Sequence, residues 1–307
     1  EGTWRVAPRK WTPPAGGELF DAHDTDDWRE HASACEALIA LREWGVDVAL
    51  PILHGRYGED GTIQAVLTVA GIPFAGSDTA GSAVAFDKVR AKEVFRYHGI
   101  DTPDFDGVPT TELVRGRRAR IEVWAERYNY PLVLKNPRGG STLEVKVAQD
   151  EGEALSAIEA LTEGADRLMV EEYVAGRELT VGVVEDREHG GPMALPVVEI
   201  RPKRAGYFDY HEKYAADGAE EICPAPIPEE IAEHARAIAL TVHRTLGLRG
   251  LSRTDMILDA DNRLRVLEVN TLPGMTERGL VPLAAAVSGL DFPGLVANLV
   301  RTAHLPN

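Results

Sequence analysis

The stretch RTDMILDADNRLRVLEVN, residues 253–270, decides how the chain is read. Its two apolar runs, TDMILD and LRVLEVN, flank the turn residues Asp259 to Asn262, the pattern of a β-hairpin. Side chains two apart on a strand share a face, so Glu268 and Asn270 point together, and the short turn brings Asp255 roughly opposite them. Two carboxylates and an amide are hard oxygen donors that suit magnesium, which keeps coordination positions for water and substrate phosphate. As a merely solvated face the same carboxylates would sit among apolar strands without a partner, which is costly.

Before the hairpin, residues 229–246 carry the stripe Ile231, Ala235, Ile238, Val242 and Leu246, closed by Gly247; this is a core-facing helix. A final helix is expected around PGLVANLVRTA. Further upstream, PMALPVVEIRP leads into the polar loop GYFDYHEKYAADGAEE, long enough with Tyr207, Tyr210 and Tyr214 to serve as a lid. YPLVLKNPRGGSTLEVKVA reads as two strands around a glycine-rich turn, and ADRLMVEEYVAGRELTVGVVED as a second pair turning at Gly176. Near the start, ACEALIALREWG reads as a helix feeding a buried strand, VDVALPILHG, and IQAVLTVAG as a helix before the strand-like IPFAG. VAFDKVRAKEVFRYH, 84–98, reads as one helix stopped at Gly99. The expected fold class is therefore α/β, of the α+β kind, in three lobes: 1–103, 104–185 and 186–307.

With 307 residues, 44% of them hydrophobic, the chain can bury a sizeable core. Its net charge of -16 argues against nucleic acid as a general partner, because affinity for a phosphate backbone comes from clustered Lys and Arg. No run of eighteen or more apolar residues and no signal-peptide pattern occurs, so no membrane is expected. Cys35 and Cys223 read as ordinary thiols, in keeping with a cytoplasmic location.

An anion site beside such a metal needs converging cations, and the candidates are Lys88, Lys135, Lys213 and Arg253. Lys135 follows the buried run PLVL and precedes PRGGST, where backbone N–H groups of a glycine turn can approach phosphate oxygens. Beside a triphosphate, Glu171, Glu172 and Glu178 become candidates for the adenine amino group and the ribose hydroxyls. His54 closes an apolar segment ahead of GRYGEDG, where ligand-binding loops of an α/β lobe gather.

Taken in order, HGRYGEDGTIQ, FDKVRAK, VEEYVAGRELTVG, YFDYHEKY, RTDMILD and LEVNTLPGMT resemble the D-alanine:D-alanine ligases over nearly the whole chain. The resemblance implies an ATP-grasp fold, with ATP between the second and third lobes and the first lobe helping to hold substrate. It implies Asp255, Glu268 and Asn270 as ligands of magnesium or manganese, as two ions, and Lys88, Lys135 and Lys213 as phosphate contacts. Glu171, Glu172, Val174 and Glu178 fall at the adenine and ribose positions. Arg253 matches the arginine that steadies the reacting carboxyl group, helped by the backbone around Gly274. His54 matches the histidine near the first substrate, and Ser141 and Tyr214 the pair joining the glycine loop to the lid. The implied activity joins two D-alanine molecules, or a related small amino acid, through an acyl phosphate for peptidoglycan synthesis, with a homodimer common among similar enzymes.

Three departures stand out. The family's first strand, glycine loop and glutamate do not precede EGTW, and a chain that begins further upstream is the expectation. Gly279 stands where a serine is usual, beside Arg278, which leaves the acceptor open. The loop NPRGGSTLE carries Asn136, Gly139 and Glu144 where proline, glutamate and glycine are typical. Two alternatives stay open: a ligase of the same fold with another donor or acceptor, and a nucleotide-binding homologue without catalysis. Retention of Asp255, Glu268, Asn270 and Arg253 speaks against the second.

Overall fold

A computed structural model describes residues 4–6, 29–113, 116–139, 145–186, 190–202 and 219–305. At the start, β1 (Trp4–Val6) pairs antiparallel with β2 (Arg29–His31). Helix α1 (Ala34–Glu43) is capped by Ser33, whose hydroxyl accepts from the Glu36 N–H, and packs through Leu38 on Ile63 and Leu67 of α2 (Thr62–Ala70). The strand expected over 46–55 does not form. Ala49 makes a single bridge to Phe74, and Ile52 and Leu53 are 64% and 42% exposed. Pro51 lacks the N–H that a central strand must donate, and Gly55 turns the chain at a φ of 69°.

The single helix expected over 84–98 is two, α3 (Thr79–Phe86) and α4 (Lys88–Tyr97). Asp87 breaks them apart: its backbone is extended and its carboxylate accepts from the Arg90 N–H, capping α4.

A four-stranded antiparallel sheet follows, in the order β3 (Phe105–Pro109), β6 (Arg167–Glu172), β4 (Leu132–Lys135), β5 (Val145–Ala148). After the single turn α5 (Thr110–Leu113), helices α6 (Arg117–Tyr128) and α7 (Glu151–Thr162) cover one face. There Leu132, Leu134, Leu168 and Val170 bury against Trp124 and Ile158, each such side chain contributing about 1.5–3 kcal/mol. The alternate residues, Lys135, Met169, Glu171 and Phe105, turn toward α4.

The second sheet has six strands: β7 (Gly176–Asp186), β8 (Gly191–Ala194), β9 (Val198–Pro202), β10 (Ala219–Ile222), β11 (Leu251–Asp259) and β12 (Leu264–Asn270). Its order is β10-β9-β7-β11-β12, with β8 also on β7. The pairing expected across Gly176 is therefore absent: β6 and β7 belong to different sheets, and residues 173–175 cross between them. Gly176 is needed for close approach, since a Cβ there would run into the Leu258 carbonyl of β11. Helix α8 (Glu229–Thr245) covers the face made by Leu179, Val181, Met256 and Leu258. Helices α9 (Leu280–Val287) and α10 (Phe292–Thr302) pack near Val184, Leu195 and Leu251 on the other. Among the described residues no single helix is long and apolar enough to cross a membrane.

Helix α4 sits against the four-stranded sheet where Gly107 leaves no side chain; a Cβ there would stand 2.9 Å from both Val89 methyls. One turn on, Lys92, with no exposed surface, places Nζ 2.6 Å from Glu171 Oε2, while Lys135 takes the other carboxylate oxygen. The two sheets are tied by Thr102, whose hydroxyl donates to the Val266 carbonyl at 2.7 Å, and by Arg265, which reaches Glu172 at 2.5 Å and Asp101 at 3.1 Å.

Two outcomes follow. Gly107→Ala forces α4 off the sheet or Val89 off its rotamer and lowers stability by about 1–3 kcal/mol in urea unfolding; adding Val89→Ala recovers part of the loss. As to pH, burial works to raise the Glu171 carboxyl, but Lys135 and Lys92 outweigh it and hold it below the ordinary glutamate value of 4.5. Because the folded state then binds that proton less readily than the unfolded one, its contribution is present above pH 4.5 and fades as pH falls below it. Unfolding midpoints between pH 7 and 3.5 should drop less steeply in Glu171→Gln than in the parent.

Candidate active site

Antiparallel pairing fixes which side chains meet. Asp255 lies opposite Glu268 on β12 and Thr180 on β7; Arg253 lies opposite Asn270 and Gly182. Directly opposed residues share a face, so Arg253, Asp255, Glu268, Asn270, Thr180 and Glu178 all stand on the face turned away from α8. A bulge between Asp255 and Met256 shifts the register just below this cluster.

Asp255 is 3% exposed and fully engaged: Arg253 donates from Nε and from an η nitrogen at 2.9 and 2.8 Å, and the Thr180 hydroxyl donates at 2.5 Å. Burial disfavours the Arg253 charge, but Asp255, with Glu268 and Glu178, more than offsets this and raises its pKa. Glu268 meets Lys88 at 3.1 Å, and Asn270 Oδ1 accepts from the Leu272 N–H at 2.9 Å. Among the described residues no three His, Cys, Asp or Glu side chains group as an ion site; the convergent set is two carboxylates and an amide. A carboxylate has about four lone-pair sites, so Asp255 keeps room for a cation beside its three donors. The donor chemistry of Asp255, Glu268 and Asn270 fits a hard divalent ion.

Lys88, at the start of α4, also holds the glycine loop: its backbone N–H donates to the Pro137 carbonyl at 2.9 Å and its ammonium to the Gly139 carbonyl at 2.7 Å. Lys135 and Glu171 come together; Glu171 is 2% exposed and has an oxygen committed to each of two lysines. Glu172 is likewise turned into the joint between sheets, accepting from Arg265 and from the Asp104 N–H at 2.9 Å. Val174 is half-buried on the crossing segment, and Glu178 stands at the outer end of the polar row. His54 is exposed and borders a cleft with Leu50, Gly76, Leu272 and Met275. Gly274 has open space at its Cβ position, whereas a Cβ at Gly279 would come within 2.7 Å of the Gly274 carbonyl. A serine at 279 would need that backbone to move. Ser141, Glu144, Tyr207, Tyr210, Lys213 and Tyr214 lie outside the described residues.

Three residues escape the sequence reading. Lys92 follows Lys88 by four positions and so shares its helix face, a visible signal in DKVRAK. Thr180 follows Glu178 by two on a strand. Glu59 is 7% exposed, accepts from the Gly55 N–H at 2.5 Å, and has its carboxyl pushed up by burial despite His54 and Lys88 nearby; nothing in GRYGEDG marks it as buried.

The family model described as D-ala D-ala ligase C-terminus matches residues 94–301, and the one described as D-ala D-ala ligase N-terminus matches residues 6–77. The D-alanine–D-alanine ligase of Nitratidesulfovibrio vulgaris (strain DP4) is 43% identical over 280 residues, covering 91% of this chain and 87% of that protein. Among solved structures, D-alanine–D-alanine ligase from Bacillus anthracis complexed with ATP superposes with a TM-score of 0.71 at 33% identity, over 86% of this chain and 82% of that one. The VanG D-Ala:D-Ser ligase of Enterococcus faecalis gives a TM-score of 0.74 at 32% identity, over 83% and 72%. A hairpin that lines up an arginine, two carboxylates and an amide, a glycine loop tied to Lys88, and matches along both parts of the chain lead to one conclusion: the chain belongs to the D-alanine–D-alanine ligase family, whose fold is the ATP-grasp.

Proposed function

We propose that the protein joins two D-alanine molecules at the expense of ATP, giving D-alanyl-D-alanine, ADP and phosphate for peptidoglycan synthesis. The observation that carries this reading is the row Arg253, Asp255, Glu268 and Asn270 on one sheet face, set in a chain 43% identical to a D-alanine–D-alanine ligase. A carboxylate is a poor electrophile until one of its oxygens becomes a leaving group. The carboxylate of the first D-alanine attacks the γ-phosphorus, ADP leaves, and the amine of the second D-alanine attacks the resulting acyl phosphate, expelling phosphate and losing a proton.

Each residue has a part in this sequence. Lys88, Lys135 and Lys213 bind the phosphates, and Lys88, touching both the glycine loop and Glu268, keeps loop and metal strand in register. Arg253, kept charged by its carboxylate neighbours, stabilises the oxyanion with the backbone at Gly274. Glu178 faces the ribose, while the segment Glu171–Val174 lies at the base. His54 borders the first substrate, and Ser141 and Tyr214 are assigned, by resemblance to the family, to keeping water from the acyl phosphate. Asp255, Glu268 and Asn270 would hold magnesium or manganese, which when bound neutralises charge on the transferred phosphoryl group. The unpaired Cys35 and Cys223 support a reducing cytoplasm as the location.

Incubation of the full-length protein with ATP, magnesium and D-alanine should yield ADP, phosphate and the dipeptide in equal amounts, and a panel including D-serine should show D-alanine as the preferred acceptor. Absence of turnover with D-alanine contradicts the reading. Glu268→Gln should reduce kcat by at least about 100-fold with the melting temperature retained; unchanged turnover would remove Glu268 from the metal set.

A further inference from the structure

We propose that Lys92 is a positioning residue for the nucleotide: by holding one oxygen of Glu171 it divides that carboxylate between two lysines, so that Lys135, paired to the other oxygen, is only partly compensated and keeps its attraction for an anion. The proposal rests on the reading of the cleft as a nucleotide site.

Lys92, Glu171 and Lys135 form one buried cluster, with side-chain exposures of 0%, 2% and 9%. Two cations and one anion leave a net positive charge in a place where desolvation makes an unbalanced charge costly. Burial, with the nearby Lys135 and Arg96 charges, pushes the Lys92 amine down to about 8 even with Glu171 2.6 Å away, so the fold accepts a penalty to keep this lysine in place. A structural pair would need one lysine. The second makes the cluster incomplete without an anion.

Geometry says where that anion belongs. Lys92 has no exposed surface and lies beneath the aromatic ring of Phe105, 5.6 Å from its centroid, with Arg96 on the same ring at 4.1 Å. It cannot meet a ligand. Lys135 is the more exposed cation, at the end of β4 next to the glycine loop, and the positive charge left over is expressed there. Were Lys92 absent, Glu171, already in contact with Lys135, would compensate it one to one, and an anion would have to compete with the whole carboxylate to bind. Helix α4 adds a second constraint, because Lys88, four residues before Lys92, contacts the Gly139 carbonyl and Glu268. One rigid helix therefore sets both lysines against two different walls of the cleft, with the Gly107–Val89 approach fixing its depth.

The test is calorimetric titration of ATP with magnesium, without D-alanine, into the parent, Lys92→Met, Lys92→Arg, Glu171→Gln and the Lys92→Met/Glu171→Gln double variant, with KM for D-alanine measured alongside. Lys92→Met should weaken ATP binding by about tenfold or more, leave KM for D-alanine within twofold, and be partly rescued in Lys92→Arg. Because Lys92 acts through Glu171, the double variant should bind ATP no more weakly than Glu171→Gln alone. If Lys92→Met does not fold, comparison of the double variant, which removes both buried charges, with Glu171→Gln gives the same answer. Unchanged ATP affinity in Lys92→Met, or a further fivefold loss in the double variant, overturns the proposal. A parent protein that binds no ATP would instead overturn the nucleotide reading beneath it.

Discussion

The antiparallel register of β7, β11 and β12 is the constraint from which the site follows. Once Asp255 is placed opposite both Thr180 and Glu268, the pleat alone sends Arg253, Asn270 and Glu178 to the same side and the apolar residues Leu179, Val181, Met256 and Leu258 to the other, where α8 buries them. The burial that stabilises the sheet thereby also fixes its polar row. No loop has to find these groups, because strand pairing has already placed them side by side on one face.

The second support is helix α4. It bridges the two sheets, touching the four-stranded one through Val89 and Lys92 and the six-stranded one through Lys88 and Glu268. Thr102, Asp101 and Arg265 fasten the segment after it to β12. A nucleotide between the sheets would therefore meet walls whose separation is set by one short helix and a few buried ion pairs.

Much of this is legible in the sequence. Strand alternation in TDMILD and LRVLEVN, with turn residues between them, is enough to converge Asp255, Glu268 and Asn270, because a hairpin is local and its register follows from the turn. Some failures concern contacts distant in sequence, and others a local breaker such as Asp87 or Pro51. Gly176 looks like a turn, but its role is to let β7 approach Leu258, more than eighty residues on, so β6 and β7 read as a pair when each has partners elsewhere. The apolar run 46–55 resembles a buried strand, yet Pro51 and Gly55 leave it a single bridge. No pattern in VEEYV reveals that Lys92, seventy-nine positions earlier, holds the Glu171 carboxylate. Lys92 itself is hidden by the reasonable rule that helix lysines are solvated.

The central claim is that this face activates a carboxylate by phosphorylating it. Turnover of D-alanine carrying ¹⁸O in both carboxylate oxygens tests it directly, with mass analysis of the phosphate released. Transfer of one ¹⁸O into each phosphate is the result the structure predicts, since the oxygen that attacks the γ-phosphorus must leave with it. Phosphate free of label, with the oxygen lost on amide formation recovered in water, would contradict an acyl-phosphate route and the roles assigned to Arg253 and the hairpin.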